Sequence, residues 1–108
     1  MAYKIVLQPR AKADLETSYR YIADHAPDAA IRWYEGIKTA INSLTDMPGR
    51  CGDAPESAAL QYHLKQLHYG RRTGIYRIIF RIIEDSEEVH ILALRHAARE
   101  VLEIKDLE

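Results

Sequence analysis

The sequence predicts an α+β domain in which a helical hairpin packs on one face of a β-sheet. Two observations carry this. Two successive N-terminal segments show apolar residues at steps of three or four, and each segment is bounded by proline. Downstream the period changes to two, most clearly in "IYRIIFRIIE" (Ile75–Glu84) and "VHILALR" (Val89–Arg95).

The elements follow in order. "YKIVL" (Tyr3–Leu7) is short, β-branched and aromatic, and Pro9 stops it, so a strand is expected. From Pro9, which suits a first helical turn, Ala11, Leu15, Tyr19, Ile22 and Ala26 fall on one helix face. Pro27 ends that helix at Ala26, because the residue before a proline avoids helical geometry. Asp28 is the expected N-cap of a second helix, whose stripe runs through Ala30, Trp33, Ile37, Ile41 and Leu44 to a stop at "DMPG". Neither helix is stable alone, so both stripes need a common surface. "MPGRCGDAPESAAL" (Met47–Leu60) is expected to be a loop, "YHLKQLHY" (Tyr62–Tyr69) a strand, and "GRRTG" a turn. "DSEE" (Asp85–Glu88) then joins the last two strands as a hairpin. Residues 97–108, which end in "REVLEIKDLE" (99–108), are expected to form a short helix or a frayed tail.

Along Ile75–Glu84, Tyr76, Ile78, Phe80 and Ile82 share one apolar face suited to lie under the hairpin. Ile75, Arg77, Ile79, Arg81 and Ile83 share the other, which has no helix left to cover it and is expected to be bare.

A chain of 108 residues, 47% hydrophobic and 29% charged, forms one domain with one modest core. No apolar run approaches the roughly 18–20 residues of a membrane span, and the N-terminus has no secretory pattern. The expected compartment is the cytoplasm. A single cysteine, Cys51, excludes an internal disulfide. Net charge is −1, so the whole-molecule field does not favour nucleic acid. The distribution is uneven, however. Leu60–Ile83 holds five cations (Lys65, Arg71, Arg72, Arg77, Arg81) and no carboxylate, whereas eight acids oppose three bases from Glu84 onward.

Arg77 and Arg81 point the same way from their strand. Antiparallel pairing of the last hairpin then brings Arg77, Arg95, His96 and Arg99 to one edge of the open face. Guanidinium groups grip phosphate or carboxylate through bidentate bonds, and imidazole carries protons near neutral pH. The plainer readings are surface cations whose stems lie across Ile79, a structural His96, and an Arg99 solvated with Glu100 and Glu103. His63 and His68 are five apart and face opposite sides of a strand, so no metal pair is expected there. Trp33 and most tyrosines belong to core and rim, and Tyr69 beside Arg71 and Arg72 is the exception. No phosphate loop, nucleophile elbow or zinc signature is present, and no cofactor is expected.

The ordered set "RAKADLETSYRYI" (Ala11, Asp14, Leu15, Tyr21, Ile22), "AIRWYEGIKTAINSLTDMPGRCG" (Ala30, Trp33, Ile37, Ile41, Leu44, Pro48, Gly52), "GIYRIIFRI" and "VHILALRHAARE" spans nearly the whole chain. In this order the segments resemble the RelE/ParE superfamily of bacterial type II toxins, most closely its ParE-like branch. The resemblance implies a β-α-α-β-β-β fold with a largely antiparallel sheet. It also implies a cognate antitoxin whose C-terminal segment folds on the sheet face. Arg71, Arg72, Arg77, Arg81 and Arg95 are the expected partner-binding residues, and no membrane is involved. ParE-like members act on DNA gyrase by binding, while RelE-like members cut messenger RNA on the ribosome. In the nuclease case Arg77 and Arg99 would stabilise the charged phosphorane and His96 would act as acid or base. No tyrosine stands at the C-terminal end to match the nucleases' aromatic, and the chain is slightly acidic; both favour the ParE-like alternative over the nuclease. A third possibility under the resemblance is a domain that has lost toxicity and keeps antitoxin binding.

Overall fold

The computed structural model describes residues 2–60, 63–71 and 74–98. Its elements run β1 (Lys4–Leu7), α1 (Pro9–His25), α2 (Pro27–Asn42), β2 (Gly52–Asp53), β3 (Lys65–Tyr69), β4 (Tyr76–Ile83) and β5 (Glu88–His96). The five strands form one sheet in the order β1-β5-β4-β3-β2. Every pairing is antiparallel except β1 with β5, which run parallel with Lys4 opposite Glu88 and Leu7 opposite Ile91. Two helices on a largely antiparallel sheet is the architecture the sequence predicts.

Helix boundaries follow the prolines. Pro9 and Pro27 occupy the first turns of α1 and α2, where a missing N–H costs nothing. Asp28 is not the cap of α2. Ala26 takes that place without a side-chain bond, because Pro27 already starts the helix; Asp28 lies in the first turn, where its charge complements the helix dipole. With only Ala26 between the helices, Tyr19 and Tyr34 meet edge to face with centroids 5.6 Å apart, as an antiparallel hairpin requires.

The hairpin covers one sheet face. Ala11 and Leu15 of α1 and Ile37 and Ile41 of α2 pack with Leu44 onto Tyr76, Ile78 and Phe80 of β4 and Val89, Ile91 and Leu94 of β5. Fully burying a side chain such as Phe80 contributes about 1.5–3 kcal/mol. Gly36 lets α2 come down onto β3, since a Cβ there would overlap the Tyr69 phenol, whose Cζ lies 2.8 Å away.

The second face is not bare. The segment expected to be an irregular loop contains two short 3-10 turns, Pro48–Arg50 and Pro55–Ala59, with β2 between them. Ala54 from this region and Leu64, just before β3, close over Ile79 and Ala93 in a second, smaller core, with Leu60 and Leu92 at its border. Three bonds hold the cover down. The Ala54 amide donates to the Leu64 carbonyl at 2.8 Å. The Ser57 hydroxyl donates to that same carbonyl at 2.7 Å and accepts from the Leu64 amide at 2.6 Å. The sequence reading failed here because Ala54, in the segment expected to be a loop, has no periodicity that marks it as buried.

Candidate functional site

The expected cation group assembles only in part: a β-bulge in β5 sets Arg95 opposite Arg77 on the second face and turns His96 to the helix side. Ile79 pairs with Ala93 but Phe80 pairs with Ile91, so β5 carries Leu92 as an extra residue. Strict alternation along β5 would put Arg95 on the Ile91 side. The bulge reverses the facing of everything after it. Leu94 thus joins the main core, Arg95 lies opposite Arg77 on the second face, and His96 lies opposite Tyr76 under the helices. Arg81, four residues along β4 from Arg77, is about 13 Å away at 3.3 Å per residue. Arg71 is exposed after β3, and Arg72 and Arg99 lie outside the described residues.

Arg77 departs furthest from expectation. It is only 6% exposed, and its two terminal nitrogens donate to the two carboxylate oxygens of Glu56 at 3.0 and 2.9 Å. Gln66 Oε1 accepts a further bond at 3.0 Å. Glu56, itself 3% exposed, sits on the 3-10 turn that roofs the second face. A guanidinium cannot be left in an apolar interior without a counter-charge, so the arginine and the lone acid of "APESAAL" are required together. Glu56 was the missed residue; its signal was a single charge in an otherwise Ala-rich stretch.

His96 closes an aromatic row in which Trp33, Tyr76 and His96 stack edge to face at 5.2 and 5.1 Å. The Trp33 indole nitrogen is buried and has no hydrogen-bond partner among the described residues. Beyond His96 a cleft of about 530 Å³ opens between α1 and the end of β5. Asp14, Thr17, Ser18 and Tyr21 line it from the helix, and Leu94, Arg95 and His96 from the strand. Asp14 accepts the Leu94 amide at 3.0 Å and is paired with Arg10 at 3.3 Å, which ties α1 to β5. Sequence reading gave Asp14 no role beyond the family pattern. Elsewhere, burial pushes the Cys51 thiol up from its ordinary range, against weaker opposing fields of Arg50 and Lys65, so it is a poor nucleophile.

Among the described residues no helix is long and apolar enough to cross a membrane, and no cluster of His, Cys, Asp and Glu could hold a metal ion.

A helical hairpin on a mostly antiparallel five-stranded sheet, with a cleft at the α1–β5 junction, is the RelE/ParE-like class of fold. The model for the ParE toxin of the type II toxin–antitoxin system parDE matches residues 5–101, and the chain belongs to that family. No curated protein matches it. Among solved structures it is similar to the chromosomal ParDE toxin–antitoxin system from P. aeruginosa, with 18% identity over 88% of this chain and 96% of the other and a TM-score of 0.70. It is also similar to a mutant of the E. coli toxin RelE in the free state (15% identity, 91% and 86% covered, TM-score 0.58). A third likeness is to the RelBE2 toxin–antitoxin complex from Mycobacterium tuberculosis (21% identity, 92% and 95% covered, TM-score 0.56). At these identities the structures establish the fold.

Proposed function

We propose that this type II toxin acts by binding DNA gyrase, in the ParE-like manner, and is silenced by a cognate antitoxin. The family match supports the first part, and the buried Arg77–Glu56 pair carries it. Under the family resemblance Arg77 is the sheet arginine a nuclease would turn toward the scissile phosphate. Here its fork is fully engaged by a carboxylate beneath the chain's own cover. A phosphate could reach it only after that cover lifted and left Glu56 unpaired. The slight net negative charge also disfavours entry into the ribosome.

The partner surface is correspondingly revised. Arg77 contributes to folding, whereas Arg71, Arg81 and Arg95 remain at positions a partner can touch. Supercoiling by purified gyrase, titrated with the purified chain, tests the reading. Loss of supercoiling is the expected outcome. Unchanged supercoiling at molar excess, with new transcript ends on translating ribosomes, would support the endoribonuclease instead.

A further inference from the structure

We infer that the solvent-facing groove of the helical hairpin is a self-association surface, on which a second copy of this chain docks about a two-fold axis. The groove runs between α1 and α2 and has a volume of about 810 Å³. Leu7, Leu15 and Tyr19 supply apolar surface within it. Ile31 is 50% exposed and Tyr34 36%, two of the four large apolar side chains left exposed among the described residues, and both line this one groove. Apolar surface held open to water in one continuous recess gains by being covered.

The charges on the two walls select the occupant. Moving away from the bend at Ala26, α1 presents Glu16 and then Lys12, and α2 presents Glu35 and then Lys38. On each wall the acid lies nearer the bend than the base, by about 4.5–6 Å at 1.5 Å per residue. A two-fold axis across the groove reverses this order in the second copy, so acid meets base on both walls and each contact occurs twice. A copy docked in the same direction would set like charges level with one another. With the axis between Glu35 and Lys38, α2 runs antiparallel to its counterpart and each Glu35 lies beside the other copy's Lys38. Lys38 already stacks over the Tyr34 ring, 4.8 Å from its centroid, and Arg20 pairs with Glu16, so both walls are ordered before docking. Three cations interleaved with two carboxylates give no field of one sign for nucleic acid or an acidic segment to follow. A net charge of −1 opposes the approach of two copies only weakly. The helices lie on the opposite side of the sheet from Arg81 and Arg95, so docking there does not cover those positions.

Sedimentation velocity on the full chain, at concentrations up to about 100 μM, reads the association directly. Wild type is expected to pass from monomer to dimer across that range. Ile31→Glu, Glu35→Lys and Lys38→Glu, all at exposed positions, should each weaken the dimer by about tenfold or more. Asp85→Lys, in the turn between β4 and β5, is the control and should stay within about twofold. An equimolar mixture of Glu35→Lys with Lys38→Glu should recover the dimer, because one chain then offers only lysines at positions 35 and 38 and the other only glutamates. That recovery also shows that both variants are folded. A wild-type chain still monomeric at about 100 μM overturns the proposal. So does a dimer that the three variants leave unweakened, or a mixture no tighter than its separate components. A monomeric wild type whose capture of the antitoxin is weakened by Ile31→Glu would assign the groove to that partner and likewise overturn the self-association. Gyrase inhibition is read separately, so the target reading stands or falls independently of these outcomes.

Discussion

Breaking the Arg77–Glu56 pair from one side should be far more damaging than replacing both members. The side chains are 7% and 1% exposed and their charged atoms are about 3 Å apart. At an effective dielectric constant of about 20, charges at that distance attract by about 5–6 kcal/mol. Each ion also loses several kcal/mol of hydration on burial, so the intact pair contributes a net close to zero. Glu56→Ala abolishes the attraction and keeps the Arg77 desolvation cost, a loss of about 3–5 kcal/mol. Arg77→Ala strands the Glu56 carboxylate at a similar cost. Against a total stability of about 5–15 kcal/mol, either change moves a urea midpoint strongly. The double replacement Arg77→Met with Glu56→Leu removes both charges and fills the space, and should fall within about 2 kcal/mol of wild type. Gln66 would lose its bond to Arg77 in that variant and turn toward water at its half-buried position. Single variants losing less than about 1 kcal/mol would show that the pair is not formed in solution. A double variant as damaged as the singles would show that packing, not charge, holds the cover.

Three further outcomes follow from the geometry. Ser57→Ala should lose about 1–3 kcal/mol and speed hydrogen exchange at the Leu64 amide, because that hydroxyl both donates to and accepts from Leu64; an unchanged exchange rate would contradict the arrangement. Asp14→Ala should lose about 1.5–3 kcal/mol, the value of a hydrogen bond to a charged group, and loosen β5 at Leu94; a urea titration measures it, with no loss as the contrary result. The Glu88 carboxyl is held below its ordinary value of 4.5, first by its bond to His90 and also by Ser86. A depressed folded value stabilises the fold above the ordinary carboxyl range, and that contribution is lost as pH falls through the folded value. An NMR titration should show the Glu88 midpoint moving up in His90→Ala; an unmoved midpoint would sever the link.

The fold was legible because helix and strand periods and two prolines pointed the same way at every step. β4 illustrates this, since Tyr76, Ile78 and Phe80 lie in the main core as their alternation requires. The site was legible only in part. Alternation cannot announce a bulge, and the single inserted Leu92 swaps the faces that Arg95 and His96 would take by strict alternation from Ile91. Nor does a loop advertise that it will fold back. Glu56 and Ser57 act through residues 77 and 64, at separations no local pattern encodes. An arginine on a half-apolar strand face therefore looked like a binding group, when it was the partner of an acid not yet located.

That reassignment also changes what a mutation at Arg77 can mean, since loss of toxicity in Arg77→Ala could follow from unfolding alone. The most direct measurement is gyrase supercoiling in the presence of the wild-type chain and of the Arg77→Met, Glu56→Leu double variant, both confirmed as folded. The account predicts that both inhibit supercoiling to the same extent. Inhibition by neither, together with message cleavage that only the wild type performs, would contradict it.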